Sequence, residues 1–122
     1  MKKELTNSAK LKILFLLPSL SAGGAERVMI GLMNGLSKEC FFSSLLTVLD
    51  KGTLTPLIDP SIPRKTLAAK NLFVSIPQLW QEISTLRPDI IVSTMAHMNF
   101  CALILKPFFP RTVFIVREAI TP

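Results

Sequence analysis

The chain has two cysteines, one histidine and one tryptophan in 122 residues. Cys40 and Cys101 lie far apart and form no C-x-x-C pair, which argues against a disulfide scaffold or a cysteine zinc site and fits a reducing compartment. No Ser/His/Asp set, metal-ligand cluster or pair of neighbouring carboxylates is evident, so triad and metal hydrolases find no support. There is no G-x-G-x-x-G dinucleotide fingerprint and no G-K-[ST] of a Walker A loop. Internal repeats, low-complexity tracts and Gly/Ser linkers are also missing, which leaves one continuous domain. The apolar block from Ile90 to Leu105 could be weighed as a membrane span. It falls short of the roughly 20 apolar residues that a span needs and is interrupted by Ser93, Thr94, His97 and Asn99. A buried strand followed by a helix is the better reading.

What is present is a globular composition, 49% hydrophobic, with a net charge of +6. A domain of this size buries about two-thirds of the surface that its unfolded chain exposes, enough for a core. The positive balance favours anionic partners, although a solvated lysine-rich face gives the same count.

The stretch KILFLLPSLSAGGAERV, Lys12 to Val28, sets the architecture. A basic start at Lys2 and Lys3, an apolar run and small residues near Ala22 would suit a secretion signal. Against that, the run is cut by Pro18, Glu4 lies in the basic region, and the run leads directly into an amphipathic helix. From Ala25, apolar residues fall at Val28, Met29, Leu32, Met33 and Leu36, one helical face. The strand, loop, helix pattern then recurs. Phe42 to Leu49 reads as a second strand and Pro63 to Leu67 as a short third one. Ser75 and Gln78 form a capping box, with Pro77 in the first turn of a helix whose apolar positions are Ile76, Leu79, Trp80, Ile83 and Leu86. Pro88 ends it. Asp89 to Ser93 is a strand buried on both faces, Met98 to Lys106 a helix, and Thr112 to Val116 a fifth strand. Strands alternating with helices predict an α/β fold, a Rossmann-like open parallel sheet with helices on both faces. Residues 1–11 read as a flexible N-terminal segment and 12–122 as the folded unit.

In such sheets ligands bind beyond the carboxyl ends of the strands, where the strand order reverses. After the first strand come Gly23 and Gly24, which permit close backbone approach, with Glu26 and Arg27 behind them. The helix there points free amides at a phosphate or sugar hydroxyl. An ordinary loop gives the same pattern. After the fourth strand come His97 and Asn99, and after the fifth Arg117 and Glu118, of which at most one faces the cleft because neighbours on a strand point opposite ways. Three polar rims on one crevice make a polar-ligand site.

KILFLLPSLSAGGAERVM, RPDIIVSTMAHMNF and TVFIVRE together resemble the N-terminal half of family 4 glycosyltransferases, the group 1 enzymes of GT-B fold. Members open with a strand, a Pro-containing loop and a G-G-[AS]-E-[RK] segment, and continue with a "PD-apolar-apolar-x-[ST]" fourth strand. The likeness runs over nearly the whole chain from Lys12. It implies retaining, metal-free transfer of a sugar from a nucleotide-sugar donor to a glycan or lipid-linked acceptor, with no other cofactor and no nucleic acid. Carried over, Gly23 and Gly24 lie beneath the donor diphosphate and transferred sugar, Glu26 and Arg27 open the helix, and His97 and Asn99 face the acceptor. Where many members have a sugar-contacting histidine past the fifth strand, this chain has Arg117 and Glu118.

Members hold the donor chiefly through a second, C-terminal domain with two glutamates spaced E-x-x-x-x-x-x-x-E, and no two glutamates here have that spacing. The expectation is therefore a partial N-terminal, acceptor-side domain, inactive alone, working in the cytoplasm. The rival from another class is a non-catalytic Rossmann-like module that binds an anionic partner. The segment LILKPFFPR adds a peripheral contact with the inner membrane face, through Phe108 and Phe109 between Lys106 and Arg111. Burial of both rings at the sheet edge competes with it.

Overall fold

In a computed structural model the chain is described over residues 10–20, 24–49, 52, 54–71, 74–94 and 96–117, except for the side chains of Ala25, Ala96 and His97. Five strands, β1 (Leu11–Leu17), β2 (Phe41–Thr47), β3 (Arg64–Thr66), β4 (Ile90–Thr94) and β5 (Val113–Arg117), form one parallel sheet in the order β3-β2-β1-β4-β5. Among the described residues three helices accompany them: α1 (Gly24–Gly35), α2 (Ile76–Leu86) and α3 (Ala96–Leu105). This is the Rossmann-like α/β fold that the alternation of elements predicts.

The faces follow from handedness. A right-handed crossover from β1 to β2 puts α1 on one face, and the crossovers from β3 to β4 and β4 to β5 run the other way, putting α2 and α3 on the opposite face. Strand alternation feeds both. Ile13, Phe15 and Leu17 of β1 pack with Met29, Ile30 and Met33 of α1, whereas Leu14 and Leu16 pack with Leu79, Ile83, Met98, Cys101 and Leu105. That is why β1 is apolar without a break from Ile13 to Leu17: it is the central strand, covered there on both sides. The segment weighed as a secretion signal thus supplies the middle of the core.

Between β2 and β3 the described residues form a short 3-10 turn, Thr55–Leu57, which carries Leu54, Ile58 and Ile62 into the α1-side core. Asn34 of α1 fixes this loop twice: its Nδ2 donates to the Leu57 carbonyl at 2.8 Å, and its Oδ1 accepts from the Asp59 amide at 3.0 Å. Lys38 adds an ion pair to Asp59.

Several expectations need correction. Val28 and Leu32 are exposed, because the stripe that α1 presents to the sheet runs through Met29, Ile30 and Met33, and five apolar positions span more arc than that contact covers. Trp80 is likewise outside, while Leu79 and Ile83 carry the burial of α2. Ser75 makes no capping bond. Its backbone is already helical (φ −81°, ψ −8°), and a capping hydroxyl needs an extended residue to turn back toward the first amides. The strands β4 and β5 each lie one residue later than expected, which moves Thr94 and Arg117 into the ladder. The block from Ile90 to Leu105 is strand plus helix, and among the described residues no helix is long and apolar enough to cross a membrane.

Candidate functional site

The strand order reverses between β1 and β4: the chain leaves β1 toward α1 on one face and leaves β4 toward α3 on the other. The crevice opens at the carboxyl ends of these strands. Its floor is fixed by backbone bonds that tie the end of β1 to the segment after β2. The Val48 amide donates to Leu17 at 3.3 Å, Leu49 to Pro18 at 2.8 Å and Leu54 to Leu20 at 3.1 Å. Gly52, at φ 112°, bridges to Leu20 and needs the freedom that glycine has there.

The predicted site residues are placed unequally. Gly23 and Glu118 lie outside the described residues. Gly24 is the first residue of α1, and a Cβ added to it would meet nothing within 4 Å. Its backbone is helical, so the fold itself does not require glycine at this position. Glu26 lies in the first turn of α1 and is buried, where a carboxylate complements the positive end of the helix. Arg27, beside it, is exposed. The backbone of His97 belongs to the first turn of α3.

Asn99, one turn further, is buried with its amide engaged inside the protein. Its Oδ1 accepts from the Ser93 hydroxyl at 2.7 Å, and its Nδ2 donates to the Arg117 carbonyl at 2.9 Å. The residue expected to face an acceptor therefore ties β4 to the end of β5, with one amide hydrogen left over.

That tie positions Arg117. Thr94 and Arg117 are register partners at the ends of β4 and β5, and alternation puts both side chains on the α1 face. Thr94 is fully buried. Neither its Oγ1 nor the buried Nη1 of Arg117 has a hydrogen-bond partner among the described residues. Buried polar atoms are almost always paired, since stranding one costs about 1–3 kcal/mol. Two orphans on register partners that share a face, one a hydroxyl and one a guanidinium nitrogen, offer donors suited to a phosphate, carboxylate or sugar oxygen.

Sequence reasoning found Arg117 but missed Thr94. The signal was the run DIIVST, in which Thr94 has the parity of Ile90 and Val92. Sequence reasoning also took the PD pair only as part of a motif. Asp89 in fact starts β4: its Oδ2 accepts from the Lys12 amide at 2.8 Å, its amide donates to the Lys12 carbonyl at 2.9 Å, and its carbonyl accepts from Val113 at 2.9 Å. That carboxylate sets the register of β1 against β4, at the end of the sheet away from the crevice.

The rim continues over β2 and β3, where a cavity of about 190 Å³ is bounded by Leu20, Thr47, Thr55, Arg64 and Thr66. Among the described residues no three His, Cys, Asp or Glu side chains gather to hold a metal ion. Compared with known proteins, the chain matches no family model and no curated sequence.

Proposed function

We propose that this domain is the acceptor-side half of a retaining glycosyltransferase, working in the cytoplasm with a nucleotide-sugar donor, a glycan or lipid-linked acceptor and a second, donor-binding domain. The observation that carries the reading is that Thr94 Oγ1 and Arg117 Nη1, at the carboxyl ends of β4 and β5 beside the point where the strand order reverses, have no partner among the described residues. The motif resemblance supports it, because Gly24 to Arg27 of that motif open α1 at the same rim.

In this reading the amides at the start of α1 and the Arg117 guanidinium face the charge that develops on the departing diphosphate, a preorganised electrostatic contribution that needs no metal. Thr94 supplies a hydrogen bond to a phosphate or sugar oxygen, and Asn99 is a positioning residue that holds the Arg117 backbone.

The test is titration of the isotopically labelled chain with a panel of nucleoside diphosphate sugars and lipid-phosphate glycans, followed by amide chemical shifts. The expected shifts gather on residues 19–27, 94–99 and 117, and Arg117→Gln removes them while the amide spectrum of the core stays in place. Binding that leaves this rim unshifted, or that Arg117→Gln leaves intact, overturns the reading.

A further inference from the structure

The α2/α3 face carries an aromatic patch over which, among the described residues, nothing packs. Phe108, in the 3-10 turn Lys106–Phe108 after α3, is 64% exposed, and Trp80 of α2 is 51% exposed. Their rings meet edge to face at 6.5 Å between centroids. Between them lies a hollow of about 310 Å³ lined, among the described residues, by Ile76, Pro77, Trp80, Leu105 and Phe108. The Phe108 ring is also a wall of a second, larger hollow of about 570 Å³, which reaches Arg87, Asp89 and Arg111. The two hollows meet at Phe108, the first apolar and the second edged by cations.

Both phenylalanines of LILKPFFPR were candidates for an exposed surface, and the structure separates them. Phe109 is half-buried against the α2/α3-side core, and Phe108 turns outward. The second exposed aromatic is Trp80, brought from another helix. Arg87 and Arg111 line the second hollow and Lys106 starts the turn that carries Phe108; all three are exposed and, among the described residues, none is in an ion pair. The one acid lining the cationic hollow, Asp89, has an oxygen committed to the Lys12 amide, and Glu82 on α2 is paired with Lys65.

We infer that this face docks on an anionic phospholipid bilayer, with Trp80 and Phe108 entering the headgroup region and Arg87, Lys106 and Arg111 meeting lipid phosphates. The charge decides the occupant. An apolar patch alone fits any hydrophobic partner, but one adjoining cations that form no ion pair among the described residues, in a chain of net charge +6, is complementary to a negative surface. Tryptophan beside phenylalanine suits the boundary between headgroups and acyl chains, where an apolar ring and a polar N–H are both accommodated. Arg87, Asp89 and Thr112 stand at the amino-terminal ends of β4 and β5, so docking here leaves the crevice at their carboxyl ends open. The inference stands on a different face from the glycosyl-transfer reading and does not depend on it.

Trp80 is the only tryptophan, so its fluorescence reports on the patch directly. The experiment adds the full chain to vesicles of phosphatidylglycerol and phosphatidylcholine, and to phosphatidylcholine alone, at low and high salt. Sedimentation serves as a second readout. The expected result is a blue shift and quenching by brominated anionic lipid, lost at high salt, where charges more than a few ångströms apart are screened. Phe108→Ser lowers vesicle affinity about tenfold, and Arg87→Gln with Arg111→Gln lowers it by about tenfold to thirtyfold. Both changes lie on exposed residues and leave the core intact. Unshifted Trp80 emission with anionic vesicles overturns the inference, as does equal binding to neutral ones. A shift produced by polyglutamate but not by vesicles also overturns it and gives the face to an acidic protein.

Discussion

Asn99→Leu separates a structural amide from a ligand contact. In the folded chain this amide accepts from Ser93 at 2.7 Å and donates to the Arg117 carbonyl at 2.9 Å, with Asn99 and Ser93 both buried. Leucine has the same branched heavy-atom skeleton and is somewhat bulkier, so the change opens no cavity and its cost is chiefly polar. Two hydrogen bonds at about 1 kcal/mol each are lost, and the fully buried Ser93 hydroxyl is stranded for about another 1 kcal/mol or more. The expected loss is about 3 kcal/mol, or a fall in Tm of about 10 °C for a domain of this length. Ser93→Ala alone should cost about 1–2 kcal/mol. In the double variant the shared bond is lost only once and the stranded hydroxyl is gone, so the loss should be about 2 kcal/mol and the cycle should show coupling of about 2–3 kcal/mol rather than additivity. The measurement is urea unfolding of the four proteins by circular dichroism. If Asn99→Leu keeps the parent stability, or if the two changes simply add, the tie between β4 and β5 is not what holds Arg117. A loss of ligand binding with unchanged stability would return Asn99 to the acceptor side.

Two further predictions concern stability. Arg87 ends α2 in the left-handed region (φ 49°, ψ 58°) while its amide donates to Ile83 at 2.9 Å, so Arg87→Gly keeps the bond and removes the strained Cβ. Offset by the greater freedom of glycine in the unfolded chain, the gain should be about 0.5–1 kcal/mol, read as a Tm rise of about 2–4 °C, and a fall would refute it. Asp59 accepts from Lys38 first, then from the Ser61 amide and hydroxyl, and these bonds lower its pKa from 3.8 to about 2. A depressed carboxylate stabilises the fold above its unfolded pKa and loses that contribution as pH falls through the folded one. Thermal unfolding between pH 4 and pH 2 should therefore depend less on pH in Asp59→Asn than in the parent, and identical slopes would show the bonds to be inert.

The sequence by itself determined the class of the fold. A strand covered on both faces must be apolar at every position, as Leu11 to Leu17 and Ile90 to Val92 nearly are. A helix covered on one face must show a spaced stripe. These are local consequences of the periods 2.0 and 3.6, legible without contacts. The prolines at positions 18 and 88 fixed where elements end, because proline cannot continue a helix or donate to a ladder. Which apolar residues stay outside was not legible. Trp80 and Leu79 are neighbours with equal claims to the core, and only the angle at which α2 meets the sheet buries one and exposes the other. The role of Asn99 was hidden for the same reason: its partners, Ser93 and the Arg117 carbonyl, come from two strands that meet it only after the crossovers close. Thr94 and Arg117 likewise become a pair through the register of β4 on β5. Hydrogen bonds and orphaned donors depend on positions to within about half an ångström, and it is tertiary packing, not local sequence, that sets them.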